Sequence, residues 1–351
     1  MKKILIVIMC LFLTACQQIR SQKINEVNDL KIERNDLFEA NVDRLSDYDV
    51  FDIDKNYAYL KNHDEAKNLY EFYRLDKNNN LDCIFSYDYS NVEDDLLSLR
   101  GIISRGELYI TINNFEDNTS KILKINNQKE QVIYENNNLL WILYNNEDYF
   151  LVDETINVGN VESQSYKQSY KYSIFDLKAY QMELLLEETI EIKNSSIKDY
   201  EITNISQIVD DGFIYQKNKT VYYFNLNTHK SEKIIKLGEQ YDSLKGNKDV
   251  LFAVKDKNIH FITKQKGKIT DYIYDLKYIS NVNDVSLINN NLYFIYENAF
   301  RGYVCMFDIE NNALSIYNYE HSEISGDYKL YNGELYLITQ NNNFLKIEKC
   351  V

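Results

Sequence analysis

The chain has no proline and only ten glycines among its 351 residues, so it lacks most of the residues that usually make turns. Asparagine and aspartate tolerate positive φ better than most other residues, and they must form the turns instead. Four asparagine-rich runs fit that role: Asn78–Asn80, Asn136–Asn138, Asn289–Asn291 and Asn341–Asn343.

Cysteine is also scarce, and only Cys83, Cys305 and Cys350 follow the N-terminal segment. An odd number is a poor disulfide framework, and no pair has the spacing of metal ligands. We expect buried free thiols. A single bridge involving Cys350 is the alternative, because an exported chain meets oxidising conditions.

Motifs of catalysis and cofactor binding are missing as well. There is no Gly-x-Ser-x-Gly, P-loop or Gly-x-Gly-x-x-Gly, and no two histidines are spaced His-x-x-x-His. The stretch Asp76–Asp82 begins like a calcium loop, but Leu81 replaces the glycine and Tyr87 the bidentate glutamate, which favours a hairpin turn. We therefore assign no catalytic, cofactor-binding or metal-binding residue. The scattered histidines are His63, His229, His260 and His321.

The N-terminus carries the clearest signal. Lys2 and Lys3 precede an apolar run of about ten residues, Ile4 to Leu13, which is too short to span a membrane. The following Leu-Thr-Ala-Cys resembles a bacterial lipobox, which implies diacylglyceryl transfer to Cys16 and cleavage before it. An uncleaved anchor or another cleavage site is the alternative. We expect a signal peptide at 1–15, a lipidated tether at 16–28, and an extracytoplasmic protein held at the cell membrane.

Charge narrows the choice of partners. The formal charge is −15, and removing Lys2 and Lys3 takes it to about −17. This argues against nucleic acid as a partner and against electrostatic adhesion to an anionic leaflet. The acidic surface favours solubility, with an acidic patch for cations or a basic partner as the alternative.

Internal repeats predict the fold. A turn followed by an aromatic-aliphatic strand recurs seven times, and the third residue of each copy is Tyr57, Leu108, Tyr149, Phe213, Val250, Leu292 or Leu335. The intervals are 51, 41, 64, 37, 42 and 43 residues, and periods near 40 to 50 are typical of propeller blades. The sequence predicts an all-β, seven-bladed propeller over 29–351, with six or eight blades as alternatives.

Each copy of this first motif is followed by a second strand motif, which ends in a polar turn, as in Phe72–Asp76 and Val304–Asp308. The last copy, Phe344–Glu348, leaves no room for a further strand. We expect the N-terminal part to supply it from Asp29–Asn35 or Phe38–Arg44, because ring closure removes an exposed edge. A helix or loose tether is the alternative there.

Two long intervals predict loops, at Ile156–Ser169 and Ser90–Leu96, and loops on a rigid scaffold often bind ligands. Trp141 is expected to pack between blades. Five tyrosines could form a stacking surface, although half-buried sheet faces explain them as well. These are Tyr166, Tyr170, Tyr172, Tyr222 and Tyr223.

The segments Phe224–Glu232 and Phe307–Asn312 best show a pattern in which a strand ends in Asp or Asn and is followed by a turn and then by an apolar strand flanked by Lys or Glu. In this they resemble bacterial lipoprotein and quinoprotein-type β-propellers over about residues 47–349. The resemblance lacks the Trp-Asp and Gly-His landmarks of WD repeats and the paired glycines of kelch repeats. It implies architecture only and carries over no functional residue.

Together these features predict a non-catalytic binding or scaffold module for a protein or carbohydrate ligand. The alternative is an extracellular glycan hydrolase or lyase, which needs carboxylates that converge at the central channel. A solute-receptor lipoprotein is a third possibility, but its fold requires long amphipathic helices that this sequence lacks.

Overall fold

A computed structural model gives the fold of the chain. It describes residues 20–24, 27–35, 48–54, 56–158, 165–193, 196–197, 202–203, 205–206, 211–237, 241, 243–255, 258–265, 268–275, 281–288, 290–297, 301–320, 328–331, 334–338 and 344–348. The predicted signal peptide, Cys16, His321 and Cys350 lie outside these residues.

The described strands form seven sheets, which we number in chain order. Three strands come first: β1 (Arg20–Lys23), β2 (Val27–Asp29) and β3 (Lys31–Asn35). Sheet 1 contains β4 (Asp49–Ile53), β5 (Tyr57–Asp64), β6 (Leu69–Asp76) and β7 (Leu81–Asp88). Sheet 2 contains β8 (Leu97–Ser104), β9 (Glu107–Asn114), β10 (Thr119–Asn126) and β11 (Lys129–Asn136). Sheet 3 contains β12 (Leu139–Asn145), β13 (Tyr149–Val158), β14 (Ser165–Asp176), β15 (Gln181–Lys193) and β16 (Ser196–Ile197).

The remaining sheets repeat this order. Sheet 4 contains β17 (Ile202–Thr203), β18 (Gly212–Lys217), β19 (Thr220–Asn225) and β20 (Lys230–Lys236). Sheet 5 contains β21 (Ser243–Gly246), β22 (Val250–Lys255), β23 (Asn258–Gln265) and β24 (Lys268–Asp275). Sheet 6 contains β25 (Asn281–Ile288), β26 (Asn291–Glu297), β27 (Arg301–Asp308) and β28 (Ala313–Glu320). Sheet 7 contains β29 (Tyr328–Tyr331), β30 (Glu334–Ile338) and β31 (Phe344–Glu348), joined by β3.

The predicted repeats are confirmed as strands. Each first motif lies in the second strand of its sheet, from β5 to β30, and each second motif lies in the third strand, from β6 to β31. Consecutive strands pair antiparallel, so each sheet is a meander. Within the described residues the chain has one short 3-10 turn, Asp94–Leu96, and no α-helix, which argues against the solute-receptor fold.

Asparagine does make the turns, as predicted. In the part of the chain that the structure describes, seven of the eleven non-glycine residues with positive φ are asparagines, among them Asn79 (φ 62°) and Asn290 (φ 62°). The predicted run Asn341–Asn343 lies outside that part. The turn after β6 is the predicted hairpin: Asp76 Oδ1 accepts hydrogen bonds from the backbone N–H groups of Asn78 (2.8 Å) and Asn80 (2.9 Å). Its carboxylate therefore satisfies the turn itself.

The apolar core lies between neighbouring sheets. One cluster joins sheets 5 and 6 around Phe261 and Phe307, whose rings stack at 4.0 Å. Similar clusters join sheets 1 and 2, sheets 2 and 3, sheets 3 and 4, and sheets 4 and 5. Sheets 2 to 5 thus bury apolar residues against a neighbour on each side, which a lone four-stranded sheet could not do.

The N-terminal segment is joined to three sheets. The strand β3 pairs antiparallel with β31, so Lys31–Asn35 supplies the strand that the last sheet lacks, as predicted. Phe38–Arg44 lies outside the described residues. The strands β1 and β2 add in parallel to the outer strands β24 and β28. The segment assigned to the tether therefore contains two strands, because its polar residues can still pair through their backbones.

The prediction of a loop at Ile156–Ser169 is wrong in part. Residues 156–158 of β13 pair with residues 167–169 of β14, so both strands continue into the segment, and β15 extends to 13 residues. Sheet 3 is consequently longer than the other sheets. No described helix is long and apolar enough to cross a membrane.

Candidate functional site on the upper rim of sheets 1 to 3

Two ends of each sheet can be distinguished. We call one end of each sheet the upper rim. There the second strand turns into the third, as at residues 115–118, and the chain leaves the fourth strand for the next sheet, as at residues 89–96. The lower rim is the opposite end, as at residues 105–106 and 146–148. The extension of sheet 3 lies on the upper rim, since the paired ends Val158 and Lys167 are there.

An exposed aromatic pair stands on this rim. Phe115, in the turn after β9, and Trp141, on β12, are each 39% exposed. Their ring centroids lie 6.1 Å apart with an interplanar angle of 35°. The prediction that Trp141 packs between sheets is wrong. The residues on either side of it, Leu140 and Ile142, are buried, and alternation along the strand turns Trp141 to the opposite face.

Buried hydrogen bonds hold this pair in position. The Asn113 amide donates to the Leu140 carbonyl (2.8 Å) and accepts from the Leu140 N–H (2.9 Å), which clamps β12 to β9. The Phe115 N–H donates to the carbonyl of Leu96 (2.8 Å) and so ties the 115–118 turn to the 89–96 loop. Polar groups buried in this way stay paired, so the two rings are presented on a rigid base.

A carboxyl group with a raised pKa lies beside the pair. Asp153 is the cross-strand partner of Trp141, and its Oδ1 is buried without a hydrogen-bond partner among the described residues. Burial, and then the charge of Glu154, raise its pKa to about 6. Glu154 itself is 7% exposed and accepts a hydrogen bond from the Tyr134 hydroxyl (2.7 Å).

A second group occupies the same rim on sheet 1. His63 Nε2 lies 2.7 Å from the Tyr89 hydroxyl and 3.2 Å from Asp94 Oδ1. The Tyr70 hydroxyl donates to the same Asp94 oxygen (2.6 Å), and the His63 and Tyr70 rings stack at 4.2 Å. The Lys61 ammonium lies 4.8 Å from the Tyr70 ring, and burial lowers its pKa. The predicted loop Ser90–Leu96 thus supplies Asp94 to an organised polar cluster.

Carboxylates lie close in sequence to Phe115 and to the loop it contacts. Glu116 and Asp117 are exposed in the same turn as Phe115, and Asp94 lies two residues before Leu96. A cation placed over these rings would meet both their negative faces and nearby negative charge. The upper rim therefore combines stacking area with a negative potential.

The other residues singled out in the sequence do not join this site. Tyr172 and Tyr223 are buried, and Tyr170 and Tyr222 pack against the core between sheets 3 and 4. His260 is buried with its Nδ1 3.1 Å from both carboxylate oxygens of Asp271, and His229 lies 2.6 Å from Glu183. Tyr166 lies in β14, but its side chain is outside the description.

The two described body cysteines are free, but only Cys305 is buried, and burial raises the pKa of its thiol. Cys83 is exposed, which corrects the expectation of buried thiols, because it lies on the outer strand β7 of sheet 1. Among the described residues no group of three or more His, Cys, Asp or Glu side chains could hold a metal ion.

The lower rim has a groove of about 750 Å³ between sheets 1 and 2. The three charged residues on its lining are already paired: Arg74 Nε with Asp82 (3.5 Å), and Glu107 with Lys124 outside the lining (2.8 Å). Its residues are thus largely neutralised by one another. The upper rim is the stronger candidate because its aromatic rings are exposed.

Replacing Asp153 by asparagine tests whether the pKa of its carboxyl group is raised in the folded chain. The folded chain binds this proton more tightly than the unfolded chain, so the free energy of unfolding falls as the pH rises from about 4 to about 6 and stays lower above that. We expect about 3 kcal/mol over this interval, at 1.36 kcal/mol per pKa unit. The asparagine variant should lose that slope in urea titrations at several pH values. An unchanged slope would contradict the raised pKa.

No protein-family model matches the chain, and no curated protein sequence does. The fold resembles KlHsv2 with loop 6CD replaced by a Gly-Ser linker, at 12% identity and TM-score 0.51, over 86% of this chain and 98% of that chain. It also resembles the uncharacterized protein lmo1340 from Listeria monocytogenes EGD-e, at 12% identity and TM-score 0.49, over 93% and 95%. The Dos1 propeller matches at 12% identity and TM-score 0.43, over 84% and 74%. The repeated four-stranded sheets give a propeller-like all-β body, and the likeness to KlHsv2 agrees with that fold; an identity of 12% says nothing about function.

Proposed function

We propose that this chain is a lipid-anchored, extracytoplasmic binding module that holds a partner protein on the upper rim of sheets 1 to 3. The observation that carries the proposal is the exposed pair Phe115–Trp141. A tryptophan and a phenylalanine in contact with water are costly unless a partner covers them, and tryptophan is enriched where binding energy concentrates.

The charge around this pair favours a partner with a basic segment. Glu116, Asp117 and Asp94 would attract lysine or arginine side chains, whose cations also stack on tryptophan. A neutral carbohydrate could stack on the same rings and donate hydroxyl hydrogen bonds to the carboxylates, but it has no positive charge to complement them. A basic protein segment is therefore the ligand that we propose.

The scaffold is proposed to be a closed ring of seven blades. Two observations support closure: the pairing of β3 with β31 completes sheet 7, and β29 of sheet 7 contacts β4 of sheet 1. In such a ring the first strand of each sheet lines the centre, which places β12 and Trp141 near the mouth of the channel. Closure would also leave no sheet edge free for aggregation.

Attachment to the membrane is proposed to run through lipid on Cys16. Two acyl chains bind a membrane stably, whereas one chain binds it reversibly. A Cys16→Ser chain expressed in a bacterium should leave the membrane fraction and incorporate no labelled palmitate. If the wild-type chain also incorporates none, the anchor is refuted.

Trp141 offers a direct measurement because it is the only tryptophan of the chain. A bound partner should change its fluorescence, first with a short polyarginine peptide as the probe and then with proteins captured from envelope extracts. Trp141→Ala should weaken binding about 30-fold, the loss of about 2 kcal/mol expected for a central interface tryptophan. Affinity of that variant is measured by calorimetry.

The matched control is Leu184→Ala, since Leu184 is an exposed apolar residue on the outer strand β15. It should leave the affinity unchanged. If peptidoglycan fragments shift the fluorescence and the peptide does not, the ligand is a carbohydrate and the basic partner is refuted.

A glycan hydrolase is the second candidate, and the raised pKa of Asp153 favours it because a general acid needs such a pKa. The neighbouring carboxyl, that of Glu154, lies on the opposite face of β13 and accepts a hydrogen bond from the Tyr134 hydroxyl. Release of reducing sugar ends from glycans, lost in Asp153→Asn, would establish the enzyme over the binding module.

A further inference from the structure

The N-terminal strand β1 fixes where the chain leaves the folded body. β1 runs parallel to β24, the outer strand of sheet 5, with Arg20 opposite Thr270 and Lys23 opposite Ile273. β24 begins at Lys268 on the lower rim and ends at Asp275 on the upper rim. Arg20 therefore lies near the lower end of the outer edge of sheet 5.

Arg20 follows Cys16 by four positions. A fully extended chain covers at most about 3.6 Å per position, so the Cα atom of Cys16 can lie no more than about 14 Å from that of Arg20. An eight-residue strand such as β24 is about 26 Å long. A lipid on Cys16 thus brings the lower corner of sheet 5 close to the membrane, and the upper end of β24 lies about one strand length away from that corner.

The same corner is basic, in a chain whose formal charge is −15. Lys248 and Lys268 are exposed in the two lower turns of sheet 5, and Lys264 is half-buried beside them. Asp249, beside Lys248 in the same turn, is also exposed, so these described residues carry three positive charges and one negative charge. By contrast, β24 ends in the exposed Asp275 at the upper rim, so positive charge marks the end from which the anchor departs.

We propose that the lower corner of sheet 5, formed by Lys248, Lys264 and Lys268, faces anionic phospholipid headgroups and turns the Phe115–Trp141 site away from the membrane. The acidic remainder is repelled by the same surface, so charge orients the protein without holding it there. The inference assumes the proposed lipid on Cys16. It gives the binding module a direction: its partner approaches from the side opposite the bilayer.

Energy transfer from tryptophan to dansyl-labelled headgroups tests this orientation. The chain from Cys16 onward, with Cys83 and Cys350 replaced by serine, is coupled through Cys16 to a maleimide lipid in vesicles of phosphatidylglycerol and phosphatidylcholine. Chemical coupling supplies the lipid, so the result does not depend on whether a cell lipidates Cys16. Native Trp141 is the upper-rim donor, W141F/Q265W places a donor on the lower rim of sheet 5, and W141F/F115W is the matched upper-rim control.

We expect energy transfer from W141F/Q265W to exceed that from Trp141 and from W141F/F115W by about twofold or more. The distances of the two rims from the membrane differ by about one strand length, and transfer falls with distance. Equal transfer from all three donors, or a larger one from Trp141, would overturn the proposal. K248E/K264E/K268E should remove the difference on anionic vesicles, whereas K67E/K129E/K178E should preserve it. A difference that persists in the first triple variant would show that the lysine corner does not face the headgroups.

Discussion

Phe261→Ala is expected to lower the free energy of unfolding by about 3–5 kcal/mol, the cost of removing a large buried ring and leaving a cavity. Phe261 on β23 is fully buried and lies between two sheets. Its ring stacks on Phe307 at 4.0 Å and lies 5.8 Å from both Phe252 and Phe294. Because sheets 5 and 6 share this cluster, the cavity would loosen both, and urea denaturation measures the loss.

Phe115→Ala is the matched control for this variant, since it removes the same side chain from an exposed position. Its free energy of unfolding should stay within about 0.5 kcal/mol of wild type. A loss below about 1 kcal/mol for Phe261→Ala would mean that the core between sheets 5 and 6 repacks around the gap, and would contradict a rigid interface there.

Strand content and order could be predicted because the repeat places the same pattern in every sheet. Tyr57 and Leu335 lie far apart in the chain, yet Tyr57 is the first residue of the second strand β5 and Leu335 is the second residue of the second strand β30. The parallel additions β1 and β2 could not be predicted. Their sequences, Arg-Ser-Gln-Lys and Val-Asn-Asp, are mostly polar, and their pairing depends on backbone groups that every residue carries.

The candidate site was harder to predict than the fold. Trp141 lies in a predicted strand between the apolar residues Leu140 and Ile142, which favours a core position. Alternation with a period of two does not show which face of a first strand is covered by the neighbouring sheet. The clamp from Asn113 joins residues 27 positions apart and has no sequence signal. Loop Ser90–Leu96 was recognised only by its length, whereas the contact of Asp94 with His63 required coordinates.

A chain that begins at residue 36 should lose cooperative folding or aggregate, because it lacks β1, β2 and β3. Removing Leu30, which is 3% exposed, costs about 2–5 kcal/mol by itself, and each lost pairing hydrogen bond adds about 1 kcal/mol. More important, β31 then becomes an edge strand with unpaired N–H and C=O groups. Thermal unfolding and light scattering measure the two consequences.

Two comparisons separate the role of β3 from simple loss of mass. A chain that begins at residue 20 retains all three strands and should unfold like the Cys16→Ser chain. A synthetic peptide of residues 27–35, added to the shortened chain, should pair with β31 and suppress aggregation, as a missing strand does when supplied by another molecule. If the shortened chain stays soluble and unfolds at the same urea concentration as the longer one, sheet 7 does not need its N-terminal strand. The strand β3 would then not be what closes the proposed ring between sheets 7 and 1, and the rim on sheets 1 to 3 would have to be rigid without it.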